Sequence, residues 1–202
     1  MFIEQPPWFY RALYPGVTWR VPAALGEVFL TFDDGPIPEV TPWVLDQLDH
    51  YGVRATFFMV GDNVRKHPEL FREVLARGHR VGNHTFNHIQ GIHYDADAYM
   101  ANVLKADEWI GSDLFRPPHG HMRWSQARAL KRRFRIVMWD VVTRDYNRSL
   151  SPERVFDNVR RYTRDGSVIV FHDSLKAERN LRWALPRAIE WLQAKGYRFG
   201  TL

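Results

Sequence analysis

The sequence predicts one α/β domain in which seven strands alternate with about six helices, wound as parallel βα units into a barrel or an open sheet. Three observations carry this prediction. Short continuous apolar runs such as Val28-Phe29-Leu30 and Val168-Ile169-Val170-Phe171 suit strands buried on both faces. Between them lie stretches with apolar residues at helical spacing, several opened by cap-and-proline signals. No shift in composition and no linker divides the chain.

The first strand, 28–32, runs into Asp33-Asp34, and Gly35-Pro36 turns the chain. Thr41 as N-cap and Pro42 behind it start a helix whose apolar residues are Val44, Leu45, Leu48 and Tyr51, and Gly52 closes it. The second strand is 55–60. Residues 68–76 place Leu70, Phe71, Val74 and Leu75 on one helical face and stop near Gly78. A brief third strand, 80–83, leads into a histidine-rich turn. Asp95 caps a helix to about Ile110. The fourth strand, 114–116, is stopped by Pro117-Pro118. A basic helix over 124–133 offers Ala127 and Leu130 to the core, and the fifth strand, 135–139, ends at Asp140. Ser151-Pro152 repeats the cap-and-proline signal for a helix to about Thr163. The sixth strand, 167–171, runs into His172-Asp173. A last helix, 179–194, ends at Gly196 before the final strand, 197–199.

At 202 residues the chain can bury one sizeable core, and 45% hydrophobic with 25% charged residues is ordinary for a globular domain. The net charge of +5 is spread out with no basic block, which leaves no footprint for nucleic acid. Cysteine is absent, so disulfides, thiolate metal sites and cysteine nucleophiles are excluded, and any metal must be held by His and carboxylate. The N-terminus lacks the basic start and apolar run of a secretory signal, and no stretch reaches membrane-spanning length. As written, the chain is expected to be cytoplasmic. Residues 1–25, with Trp8, Phe9, Tyr10, Leu13, Tyr14 and Trp19 among prolines, are expected to pack as a segment on a domain formed by 26–202.

Titratable residues recur directly after the strands. Asp33 and Asp34 follow the first, His84 and His88 the third, and Arg116 with His119 the fourth. Asp140, Asp145 and Tyr146 follow the fifth, and His172 with Asp173 the sixth. Groups far apart in sequence thus meet at the C-terminal ends of parallel strands, where such folds assemble active sites. Asp33 and Asp34 point to opposite sides of their strand end and cannot share one job. His84 and His88, four residues apart, face the same side if the segment turns helically, and with an Asp would make a metal site with open positions.

In order, Thr31-Phe32-Asp33-Asp34-Gly35-Pro36, His84-Thr85-Phe86-Asn87-His88, Arg116-Pro117-Pro118-His119-Gly120, Asp140 through Asp145-Tyr146, and Val170-Phe171-His172 resemble five known motifs. They are those of the polysaccharide deacetylases, the NodB-homology or carbohydrate esterase family 4 domain. The likeness spans about residues 26–200. It implies a distorted (β/α)7 barrel and the metal-dependent removal of N-acetyl groups, with release of acetate, from an N-acetylglucosamine-type sugar or glycan. By resemblance Asp34, His84 and His88 bind the divalent metal, zinc as a rule, with cobalt and manganese as alternatives. Asp33 is then the catalytic base, and His172 the general acid for the departing amine. Arg116 resembles the arginine that pairs with the base. Asp145 resembles the carboxylate behind the acid histidine, with Asp140 a competing choice. His119 would lend a backbone N–H to the oxyanion, Val170 would line the acetyl-methyl pocket, and Tyr146 would face a sugar ring.

Two departures bear on substrate preference: His119 stands where Tyr is commoner, and Tyr146 where Trp is common. The other readings are a hydrolase of a different non-peptide C–N bond and a non-catalytic glycan-binding relative. Binding alone needs neither a base nor an acid, which argues against the last.

Overall fold

The structure, a computed structural model, describes residues 4–202. Along the chain, α1 (Trp8–Ala12) precedes β1 (Glu27–Asp33), α2 (Thr41–His50), β2 (Thr56–Met59), α3 (Gly61–Lys66), α4 (Pro68–Ala76) and β3 (Arg80–Asn83). Then come α5 (Ala96–Ile110), β4 (Leu114–Phe115), α6 (Trp124–Leu130), β5 (Arg135–Ile136), β6 (Val141–Val142), α7 (Pro152–Tyr162), β7 (Val168–His172), α8 (Glu178–Ala194) and β8 (Arg198–Phe199). The sheet order is β5-β4-β3-β2-β1-β7-β6, with β8 added on the start of β1. Every strand pair is parallel, and the curled sheet is the distorted barrel expected.

The alternation along β1 sorts the molecule into an outside and an inside. Leu30 and Phe32 face the helices and join Phe57, Met59, Ile169 and Phe171 in the main core with Val44 and Leu48 of α2 and Leu185 and Ile189 of α8. Each such fully buried side chain contributes about 2 kcal/mol of transfer free energy. Phe29 faces the other way, into a cluster with Phe58, Leu114, Val137 and Val168. Thr31 and Asp33 follow Phe29 on that inner face. Their register partners on β7 are Val170 and His172, so Asp33 and His172 stand side by side where two neighbouring strands end.

Several local signals hold. Asp95 and Ser151 cap α5 and α7 by accepting from the N–H groups of Ala98 and Arg154. Others yield to tertiary contacts. Val40, not Thr41, is the cap of α2; the Thr41 hydroxyl instead donates to Asp173 Oδ2 at 2.6 Å and accepts from the Ile37 N–H. The predicted fifth strand ends at Ile136, and an unpredicted one, β6, pairs with β7. Helix α6 stops at Leu130, short of Arg133. Helix α3 lies outside the predicted elements; Gly61, where a Cβ would meet Ala106 of α5, lets it pack that close.

Of the N-terminal segment, Met1 to Ile3 lie outside the described residues. Tyr10, Tyr14 and Trp19 pack against a cluster containing Phe115, Met122 and Leu130, whereas Trp8, Phe9 and Leu13 are exposed. Among the described residues no helix is long and apolar enough to cross a membrane.

Candidate active site

Asp33 ends β1 and is buried; its Oδ1 lies 2.6 Å from Nη1 of Arg116, which is fully buried. The same guanidinium donates to Thr31 Oγ1 at 2.9 Å, to the Val137 carbonyl at 3.2 Å and to the Met138 carbonyl at 2.9 Å, and it lies 4.0 Å over the Phe58 ring. A buried cation is tolerable only when so fully partnered. Arg116 therefore fills the barrel interior and fixes one oxygen of Asp33.

Asp34, the next residue, turns away with φ of 84°. Its Oδ1 lies 3.1 Å from His88 Nε2 and 3.8 Å from His84 Nε2. One ligand atom from each of the three fits within 4.8 Å of the others. The turn that joins the histidines is not the helical one expected: Thr85 and His88 have φ of 64° and 54°. Asn83 makes this possible by accepting from the Thr85 N–H, while the Thr85 hydroxyl accepts from Ile89 N. His84 donates from Nδ1 to the Arg116 carbonyl at 2.8 Å, which leaves Nε2 available to a metal ion. Burial pushes its pKa down to about 4, against the pull of Asp33, so the ring is neutral at pH 7, the form that can hold a metal ion. Burial would raise the Asp34 carboxyl, but the His88 hydrogen bond and the neighbouring imidazoles hold it well below the usual range. A carboxylate and two imidazoles with a hydrogen-bonded back side fit a divalent metal ion.

At the end of β7, His172 Nδ1 lies 2.7 Å from Asp145 Oδ1, and Asp145 Oδ2 accepts the His172 backbone N–H at 2.7 Å. Burial works against a charged imidazole here, but Asp145, Asp34 and Asp33 outweigh it and bring the pKa up to about 9. Asp140, the competing choice, is taken up elsewhere, by Arg11, Arg164 and Ser167. His119 follows β4 with φ of 59°, and its ring sits 4.9 Å from that of His88. Tyr146 meets His172 edge-on at 4.8 Å. Val170 is buried on the inner face, two residues before His172.

A family model described as polysaccharide deacetylase matches residues 21–133, more than half of the chain. The chain belongs to the polysaccharide deacetylase family. It is 36% identical over 184 residues to a peptidoglycan-N-acetylglucosamine deacetylase of Bacillus cereus, with 87% of this chain and 66% of that protein covered. With a chitooligosaccharide deacetylase of Rhizobium leguminosarum bv. trifolii the identity is 35%, covering 72% of this chain and 71% of the other. A crystal structure of the Bc1960 peptidoglycan N-acetylglucosamine deacetylase superposes with a TM-score of 0.89 at 33% identity, over 98% of this chain and 95% of that one.

For a polysaccharide deacetylase, the structure also brings in two residues that sequence reading passed over, Asn63 and Asn180, and gives Asp173, named only as an acid at a strand end, its place. Asn63 on α3 donates to the Asp34 carbonyl at 2.8 Å, and Asn180 on α8 donates to the Asp145 carbonyl at 2.9 Å. Asp173, fully buried beneath the Asp34-Gly35 turn, accepts from the Gly35 N–H and from Thr41. Burial pushes its pKa up to about 8. Only Asp173 carried a sequence signal, an acid directly after a strand.

Proposed function

We propose that this chain hydrolyses the acetamido group of N-acetylglucosamine units in a glycan and releases acetate, with Asp33 as base and His172 as acid. The observation that carries the reading is the pairing of these two groups on adjacent strand ends beside the Asp34, His84 and His88 cluster. A divalent ion on those three ligands, zinc by the softness and number of the donors, would activate a water near neutral pH and polarise the acetyl carbonyl.

The chain's own residues would do the rest. Asp33 takes the proton released as water attacks, its carboxylate aimed by the Arg116 hydrogen bond. The backbone N–H of His119 serves as a donor to the developing oxyanion. An amine leaves only when protonated, and His172, positively charged over the neutral range through Asp145, supplies that proton. Tyr146 offers an aromatic face to the pyranose, and Val170 a wall for the acetyl methyl.

Acetate release, measured on N-acetylglucosamine oligomers and on peptidoglycan with zinc, with cobalt and with chelator, tests this. Release that depends on metal is expected; none from any of these substrates in the metal-loaded protein overturns the reading.

A further inference from the structure

The two edges of the curled sheet, β5 and β6, do not pair with each other among the described residues. The N-terminal segment bonds to both. Thr18 donates to the Ile136 carbonyl and accepts from the Met138 N–H at the end of β5, and the Glu4 carbonyl accepts from Val142 N of β6 at 2.8 Å. Side chains reinforce the seam: Arg144 donates to Glu4 Oε1 at 2.6 Å and Arg11 to Asp140 Oδ1 at 2.6 Å.

From this seam the segment reaches the loop that carries His119. Two successive residues there, His119 and Gly120, are left-handed, with φ of 59° and 71°. A non-glycine residue in that region costs about 1–2 kcal/mol and persists only where its surroundings hold it. The Tyr14 hydroxyl donates to the Met122 carbonyl at 2.8 Å, and the Tyr10 hydroxyl reaches the Gly120 carbonyl at 3.5 Å. Behind Gly120 the Trp139 ring occupies the space a Cβ would need. Trp139 is backed edge-on by Trp19 at 6.4 Å, and Trp19 by Tyr10 at 5.7 Å. From the opposite side the loop receives the Gly91 N–H at the His121 carbonyl.

We infer that the N-terminal segment is a working part of the catalytic apparatus, a strap that closes the barrel seam and, through Tyr14 and Tyr10, sets the direction of the His119 N–H. Tyr14 and Tyr10 are positioning residues, touching the loop and not the substrate. The inference rests on the role given to His119 above.

Tyr14→Phe removes the hydroxyl and keeps the ring in its packing, and a Tyr10→Phe/Tyr14→Phe double variant removes both donors. In the zinc-loaded protein acting on N-acetylglucosamine oligomers, each is expected to lower kcat, by about tenfold for Tyr14→Phe, with KM within about twofold. Affinity for a tetrahedral phosphonamidate analogue should fall in step with kcat/KM, because only the tetrahedral species calls on the oxyanion donor. Unchanged kcat in the double variant, or a fall in kcat with full affinity for the analogue, overturns the strap's catalytic role. Backbone amide exchange at Gly120 and His121, whose N–H groups are bonded to the Pro117 and Pro118 carbonyls, is read in the same proteins and is independent of any substrate. It should rise about tenfold in Tyr14→Phe while β1 and β7 stay protected. Unaltered exchange there overturns the strap even if the wild-type protein releases no acetate, whereas accelerated exchange in Tyr14→Phe, with a wild type that releases no acetate, would leave the strap's hold on the loop standing and fault only the proposed reaction.

Discussion

Replacing Arg116 by methionine keeps an unbranched chain in the barrel interior but removes the cation on which Asp33 leans. The structure sets the scale. Arg116 is fully buried, and its Nη1 lies 2.6 Å from Asp33 Oδ1. Removing one partner of such a buried pair costs about 3–5 kcal/mol, because the remaining carboxylate is left without compensation. That is a large part of the roughly 5–15 kcal/mol that holds a domain together. With a urea slope of about 2 kcal/mol per molar, the unfolding midpoint should fall by about 2 M. The measurement is urea unfolding followed by tryptophan fluorescence, for which the chain has 8 reporters. A cycle with Asp33→Asn isolates the pair: in that background the cost of Arg116→Met should shrink by about 1.5–3 kcal/mol, the worth of a charged hydrogen bond. A midpoint for Arg116→Met within about 0.5 M of wild type, which at that urea slope is about 1 kcal/mol, would refute the reasoning, as would an equal cost in both backgrounds.

Three further outcomes are expected. Asp33→Asn should lower acetate release by about 100-fold or more while zinc content by elemental analysis is unchanged, whereas His84→Ala should lose the zinc; zinc retained at full stoichiometry in His84→Ala would exclude that residue as a ligand. The acid role of His172 requires its protonated form, which exists below its raised pKa, so kcat should fall as pH rises through about 9. In Asp145→Asn the largest support of the charged imidazole is lost, and that fall should move to lower pH; an identical alkaline limb in both proteins would speak against the pairing. Asp173 binds its proton up to about pH 8 when folded and only to about 4 when unfolded, so its contribution to stability declines between those values and is flat above them. Asp173→Asn should therefore gain on wild type in thermal midpoint as pH rises from 4 to 8, and Asp173→Leu, which strips Gly35 N and Thr41 of their acceptor, should be destabilised by about 2–4 kcal/mol.

The motifs to which catalysis is assigned here were legible because their chemistry is carried by residue type and order. A strand that ends in Asp-Asp, a His-x-x-x-His segment and a strand that ends in His can be read in one dimension. The parallel alternation was equally legible, since strands buried on both faces must be continuously apolar. What could not be read were choices that several distant residues make together. Asp140 and Asp145 look alike in sequence; Asp145 goes to His172 only because Arg11, Arg164 and Ser167 close around Asp140. Thr41 has every local property of a cap, yet a buried acid from the far end of the chain takes its hydroxyl. The turn between His84 and His88 left-handedly departs from the helix that its spacing allows, because the Asn83 side chain offers the backbone another partner. Residue identity and period thus determined which groups this protein would bring to the end of its sheet. Their pairing was decided by the tertiary structure, because a hydrogen bond between residues tens of positions apart exists only once the sheet's register has placed them within 3 Å of each other.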